Sequence, residues 1–113
     1  MKETRLGDFE ETLLLITGIL GNDAYAFKIA EEFKRQLKRS VSIGAVHSTL
    51  NRLGEKGFLK SEMGKPTAER GGRRKRIYEI TGAGHEALKV SRDQKLSLWN
   101  QFPAFAGFKY SLG

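Results

Sequence analysis

The chain has 113 residues, two histidines and no cysteine. That is the size of one domain, and the composition excludes a disulfide framework, a thiolate metal site and thiol catalysis. The formal charge is +7 and unevenly placed: residues 1–40 hold seven basic and seven acidic side chains, residues 41–80 nine against four, and residues 81–113 four against two.

A basic centre suits a surface that faces a polyanion, and the competing reading is a solvated surface that aids solubility. The longest apolar run, Leu13 to Leu20, is interrupted by Thr17 and Gly18 and falls short of the ~20 residues a membrane span needs. No apolar stretch follows the charges of the first eleven residues, so they do not read as a signal peptide. The expectation is a soluble cytoplasmic protein with no cofactor, no metal and no membrane partner.

A first helix is expected from about Asp8 to Leu20. Asp8 is its N-cap candidate, with Glu11 three residues on completing a capping-box-like pair. Phe9, Leu13, Ile16 and Leu20 share one face, and Leu14, Leu15 and Ile19 widen it, so this helix belongs to the core. Gly21 ends it and Asn22-Asp23 makes the turn. The second helix spans about Ala24 to Lys38, with Ala26, Ala30, Phe33 and Leu37 as its apolar stripe and Ile29 beside it. Ser42 caps a third helix, Ile43 to Lys56, with Val46, Leu50 and Leu53 inward. Gly44, Ser48, Asn51 and Glu55 lie on its opposite face, flanked by His47 and Arg52, and Gly57 stops it.

Beyond Gly57 the helical period is lost. A strand over 58–63, a Gly-rich basic loop over 64–75 and a second strand over 76–80 read as a hairpin. Thr81 caps a last helix that reaches about Asn100, and Pro103 bars its continuation much beyond Phe102. The result is a mostly α chain with a small β-hairpin (α+β): a winged helix-turn-helix domain over 1–81, a long C-terminal dimerisation helix over 82–102, and a tail over 103–113. The tail's aromatic residues leave packing on a partner and mobility both open.

In such a fold the third helix enters the major groove, which admits one α-helix and is read near that helix's N-terminus. The outward residues there, Ser42, Gly44, Ala45 and Ser48, are small and permit close approach. Ser48 and Asn51 can donate and accept, His47 reaches further, and Arg52 is placed to meet a phosphate. The loop carries Arg70, Arg73, Arg74, Lys75 and Arg76 around Gly71-Gly72. Five cations within seven residues repel one another, so a phosphate backbone or a narrow minor groove would stabilise them. The bland reading of each feature is an exposed helix face and a mobile charged loop. Leu88, Leu96, Trp99 and Phe102 form the expected subunit contact, with Trp99 its central anchor. The alternative for them is packing on the first helix.

The run SIGAVHSTLNRLGEKGFLKSE (42–62), the run ERGGRRKRIYEITGAGHEAL (69–88) and the earlier LLLITGILGNDAYAFKIAEEF (13–33) together resemble the PadR family of transcriptional regulators. The resemblance covers about residues 6 to 88, and the final helix fits as well. It implies a homodimeric, repressor-type protein binding double-stranded DNA, with one winged helix per subunit and the C-terminal helix as dimer contact. The short C-terminal part resembles the compact branch of that family. His47 stands where the family usually has tyrosine, and its ring cannot make the same stacking contact. Some family members bind flat aromatic compounds between subunits, so the resemblance permits a small aromatic effector near Trp99.

No enzyme constellation is visible, because His47 and His85 lie on separate elements and the adjacent glutamate pairs are not opposed carboxylates. The other functional class is a winged-helix interaction module for protein or structured RNA. Single-stranded RNA readers stack bases on exposed aromatic rings, and the groove-facing residues of the third helix offer none but His47.

Overall fold

The computed structural model describes residues 5–65 and 74–103. Its elements are α1 (Asp8–Leu20), a 3-10 turn (Gly21–Asp23), α2 (Ala26–Leu37), α3 (Ile43–Glu55), β1 (Leu59–Met63), β2 (Arg76–Ile80) and α4 (Gly82–Gln101). The strands pair antiparallel, Leu59 opposite Ile80 and Met63 opposite Arg76. This is the expected winged-helix order.

One core joins the three helices to the hairpin. Leu13, Leu14 and Ile16 of α1 meet Ile29 and Phe33 of α2 and Val46, Leu50 and Leu53 of α3, with Phe58, Leu59 and Tyr78 closing it from the hairpin side. The α3 residues recur at i, i+4 and i+7, the spacing that keeps one helix face inward. Each such side chain contributes about 1.5–3 kcal/mol when fully buried.

Local chemistry sets the boundaries. Ser42 Oγ accepts the Ala45 amide at 3.0 Å, and Thr81 Oγ1 accepts the Gly84 amide at 3.0 Å, so both expected caps form. At the exit of α3 the Phe58 amide donates to Leu53 O and the Gly57 amide to Gly54 O. That is a Schellman closure. It requires the left-handed backbone of Gly57 (φ +82°), and it seats Phe58 in the core beside Leu53.

Four expectations are corrected. Gly7 is the N-cap of α1, and its amide donates to Glu10 Oε1 at 2.8 Å, so Asp8 is the first helical residue and Glu10 closes back in place of Glu11. The helix α2 starts at Ala26: Tyr25 is its extended N-cap, and the Ala24 carbonyl ahead of it accepts the Tyr78 amide at 2.8 Å. Leu15 and Ile19 are 49% and 62% exposed, since the core covers only part of the apolar surface of α1. Leu37 also lies near the surface, at the last residue of α2. Among the described residues no helix is long and apolar enough to cross a membrane, and no three His, Cys, Asp or Glu side chains group as metal ligands.

Candidate nucleic-acid interface

The outer face of α3 takes shape from what the core withdraws. With Val46, Thr49, Leu50 and Leu53 buried, Ser42, Gly44, His47, Ser48 and Asn51 all lie in solvent. Ser48 Oγ donates to Gly44 O at 3.1 Å, which leaves its acceptor sites turned outward. A side-chain carbon at Gly44 would meet nothing within 4 Å, so no contact among the described residues requires glycine there. Ala45 departs from expectation: it is half-buried, and its amide is taken by the Ser42 cap.

Arg52 departs further. Its Nε donates to Glu10 Oε2 at 3.0 Å and its Nη2 reaches Thr49 Oγ1 at 3.4 Å. A guanidinium expected to face a phosphate is therefore engaged within the fold, although the side chain keeps about half of its surface in water. Lys56 Nζ completes the cluster, 2.8 Å from Glu10 Oε1 and 2.7 Å from the Arg5 carbonyl. Burial works to raise the Glu10 carboxyl. Hydrogen bonds from Gly7, Lys56 and Arg52 outweigh it and hold the group below the usual carboxylate range.

The hairpin neck holds three of the five loop cations. Arg74 Nε donates to Gly64 O at 2.9 Å, Arg76 Nη1 donates to Ser61 Oγ at 3.0 Å, and Lys75 Nζ sits 4.3 Å from the centre of the Tyr25 ring. Each places a positive group at the base of the wing, and the Lys75–Tyr25 contact ties that base to the entry of α2. Arg70 and Arg73 lie outside the described residues, as does the tail beyond Pro103.

The C-terminal helix leaves the core after its second turn. Leu88 is half-buried against the core, whereas Leu96, Trp99 and Phe102 are each about half exposed. The Trp99 ring meets Phe102 edge-on, with centroids 5.7 Å apart. Leu15, Leu88, Leu96 and Trp99 line a groove between α1 and α4, rimmed by Glu11, Lys89, Arg92 and Lys95.

Residues 15–90 match the transcriptional regulator PadR-like family, about two-thirds of the chain. The chain belongs to the PadR-like family. It is therefore a DNA-binding transcriptional regulator of winged-helix form.

Solved structures share the fold at low identity. A PadR-like transcription factor from Bacteroides fragilis superposes with TM-score 0.67 at 23% identity, over 84% of this chain and 86% of the other. A transcriptional regulator from Clostridium thermocellum gives 0.63 at 19%, over 86% and 89%. Bacillus subtilis PadR in complex with operator DNA gives 0.59 at 20%, over 74% of this chain and 45% of that longer one. No curated protein matches the chain.

Several residues of this PadR-like chain carry no mark in the sequence. Glu10 and Glu11 read as an adjacent pair on a helix surface, yet Glu10 is buried and Glu11 accepts from Ser91 Oγ at 3.0 Å and Lys95 Nζ at 2.6 Å. The sequence does not mark these tertiary roles, because the side-chain partners that fix them, on α3 and α4, lie at least 42 and 80 residues away. Ile43 continues the spacing of Val46, Leu50 and Leu53, but it sits at the open end of α3 and is 46% exposed.

Proposed function

We propose that two copies of this chain bind one DNA duplex and repress transcription. The N-terminal half of α3 enters the major groove, and the wing over 64–76 meets phosphates or an adjacent minor groove. Ser42, Gly44, His47, Ser48 and Asn51 supply the groove face. Arg74, Lys75 and Arg76, joined by Arg70 and Arg73 of the loop, supply the electrostatic contact. The observation that carries this reading is the open space over Gly44 at the start of an exposed polar helix face. A backbone without a side chain lets a base edge or phosphate approach closely, and no other described residue comes within 4 Å of where a side-chain carbon would stand.

Leu88, Leu96, Trp99 and Phe102 form the subunit contact in this reading. The support is the half-exposed apolar second half of α4, beside the exposed Leu15 of α1. Apolar surface gathered in this way marks an interaction site. The groove beside Trp99, with its basic rim, is also where a small aromatic effector would enter. The site of action is the cytoplasm.

The test is fluorescence anisotropy with the DNA upstream of the chain's own gene, across a salt series, against random duplex and duplex RNA of matched length. The expected result is selective binding of two subunits per DNA site with a steep salt dependence. A chain that prefers the RNA, or that shows no sequence selection in a genome-wide pool, sinks the reading.

A further inference from the structure

The two cations at the C-terminal end of α3 are engaged within the fold. Arg52 Nε and Lys56 Nζ bind the buried Glu10 carboxylate at 3.0 and 2.8 Å. Glu55, the last residue of the helix, is exposed. Arg5, Arg52 and Lys56 line the cleft beside it, yet its carboxylate makes no hydrogen bond or ion pair with any described residue. A negative charge in the last turn also opposes the helix macrodipole. Among the described residues this side chain carries a cost with no compensating contact.

Glu55 completes the outward stripe of α3. Gly44, Ser48, Asn51 and Glu55 recur at i, i+4, i+7 and i+11, and all four are exposed. The side chain lengthens at every step, from none at Gly44, through the hydroxyl of Ser48 and the carboxamide of Asn51, to the longer carboxylate of Glu55. A helix seated with its N-terminal end deepest in the groove recedes from the base edges towards its C-terminal end, and a graded reach follows that tilt. The stripe runs about 16 Å along the helix axis, the length of about five base pairs. None of its four residues is a cation, so its chemistry suits base edges and not phosphates.

A carboxylate only accepts hydrogen bonds, and phosphate oxygens repel it. In the major groove the adenine amino group is flanked by the N7 acceptor, whereas cytosine presents its N4 amino group alone, the donor that a carboxylate takes. We infer that Glu55 is a further specificity-determining residue of this regulator and reads a cytosine by accepting from its N4 amino group. The inference rests on the proposed seating of α3 in the major groove. Where another base stands at that position the carboxylate meets an acceptor or a methyl group, so the same residue that favours one site penalises the others.

The experiment uses the full chain and selection from a randomised duplex pool, repeated with Glu55→Gln and Glu55→Ala. The wild-type motif should contain a C·G pair whose change to A·T weakens binding by about fivefold or more. Glu55→Gln should exchange that cytosine for adenine, because a carboxamide bonds adenine N6 and N7 together. Glu55→Ala should lose preference at that pair alone and keep the rest of the motif. Both variants should unfold at or above the wild-type temperature, since a charge opposed to the helix dipole is gone. Variant motifs identical to the wild type overturn the role of Glu55 and leave groove binding standing. Equal tightening on selected and random duplexes overturns it too, and makes Glu55 a charge set against phosphates. A wild-type chain that selects no motif overturns the groove reading beneath, a result that neither variant is needed to see.

Discussion

Arg52 of α3 donates its Nε–H to the Glu10 carboxylate of α1 at 3.0 Å, across 42 residues of sequence, and Glu10 is 5% exposed. The carboxylate also takes the Gly7 amide and the Lys56 ammonium. It therefore caps α1 and anchors the C-terminal end of α3 with the same group.

Acid should loosen that anchor. The Glu10 carboxyl is held below its usual range in the folded chain despite burial. A depressed carboxyl contributes its full stability above the unfolded value, and the contribution is lost as pH falls through the folded one. Glu10→Gln should cost about 1–3 kcal/mol near neutral pH, where a buried charge-assisted set is broken. Thermal unfolding at pH 7 and pH 3 checks this: the gap between wild type and variant should be wide at pH 7 and narrow at pH 3. A gap independent of pH would assign the loss to packing instead of charge.

Two glycine-to-alanine changes should act in opposite ways. Gly84→Ala drives a carbon into the Phe58 carbonyl and Ile80, an overpacking that costs about 1–3 kcal/mol. Gly44→Ala enters open space on α3 and should raise stability by up to about 1 kcal/mol through helix propensity. The same Gly44→Ala chain should bind selected duplex DNA at least tenfold more weakly. Melting and anisotropy on one pair of variants separate fold from function. A Gly44→Ala chain with undiminished affinity removes α3's close approach.

The wing should be felt through salt. Arg74→Ala removes a cation whose backbone partners lie at the hairpin neck, and Arg73→Ala removes one in the loop itself. Each should weaken binding to every duplex alike and lower the log–log salt slope by about 0.9 for every phosphate left without its cation. Ser48→Ala and Asn51→Ala should instead change preference among sequences with the slope unaltered. Equal losses on selected and random DNA for these two would place them outside base readout.

Trp99 is the only tryptophan and about half exposed in the single chain, so its emission reports the proposed subunit contact. Dilution from micromolar to nanomolar protein should shift emission to the red as the ring enters water. Trp99→Ala should weaken dimerisation by about 2 kcal/mol or more, the scale of an interface anchor, as read by sedimentation. Concentration-independent emission together with an unchanged dimer in Trp99→Ala would move the contact elsewhere.

Much of the architecture was legible from residue order alone. The caps at Ser42 and Thr81, the stop at Gly57, the inward Val46–Leu50–Leu53 stripe and the paired strands are local features. Hydrogen bonding to the next turn and a period of 3.6 or 2 residues specify them without reference to distant chain. The outward face of α3 follows from the same period, because what is not inward on a helix is outward. Only the tertiary structure could decide how far a core reaches and which charges meet. Leu15, Ile19 and Ile43 have the apolar spacing of core residues, yet they lie where neighbouring elements end. Glu11 reads as a local capping partner and Arg52 as a phosphate contact, yet folding brings Glu10, Glu11 and Arg52 to partners dozens of residues away. Burial and ion pairing are properties of the space between elements, and a one-dimensional pattern contains no measure of that space.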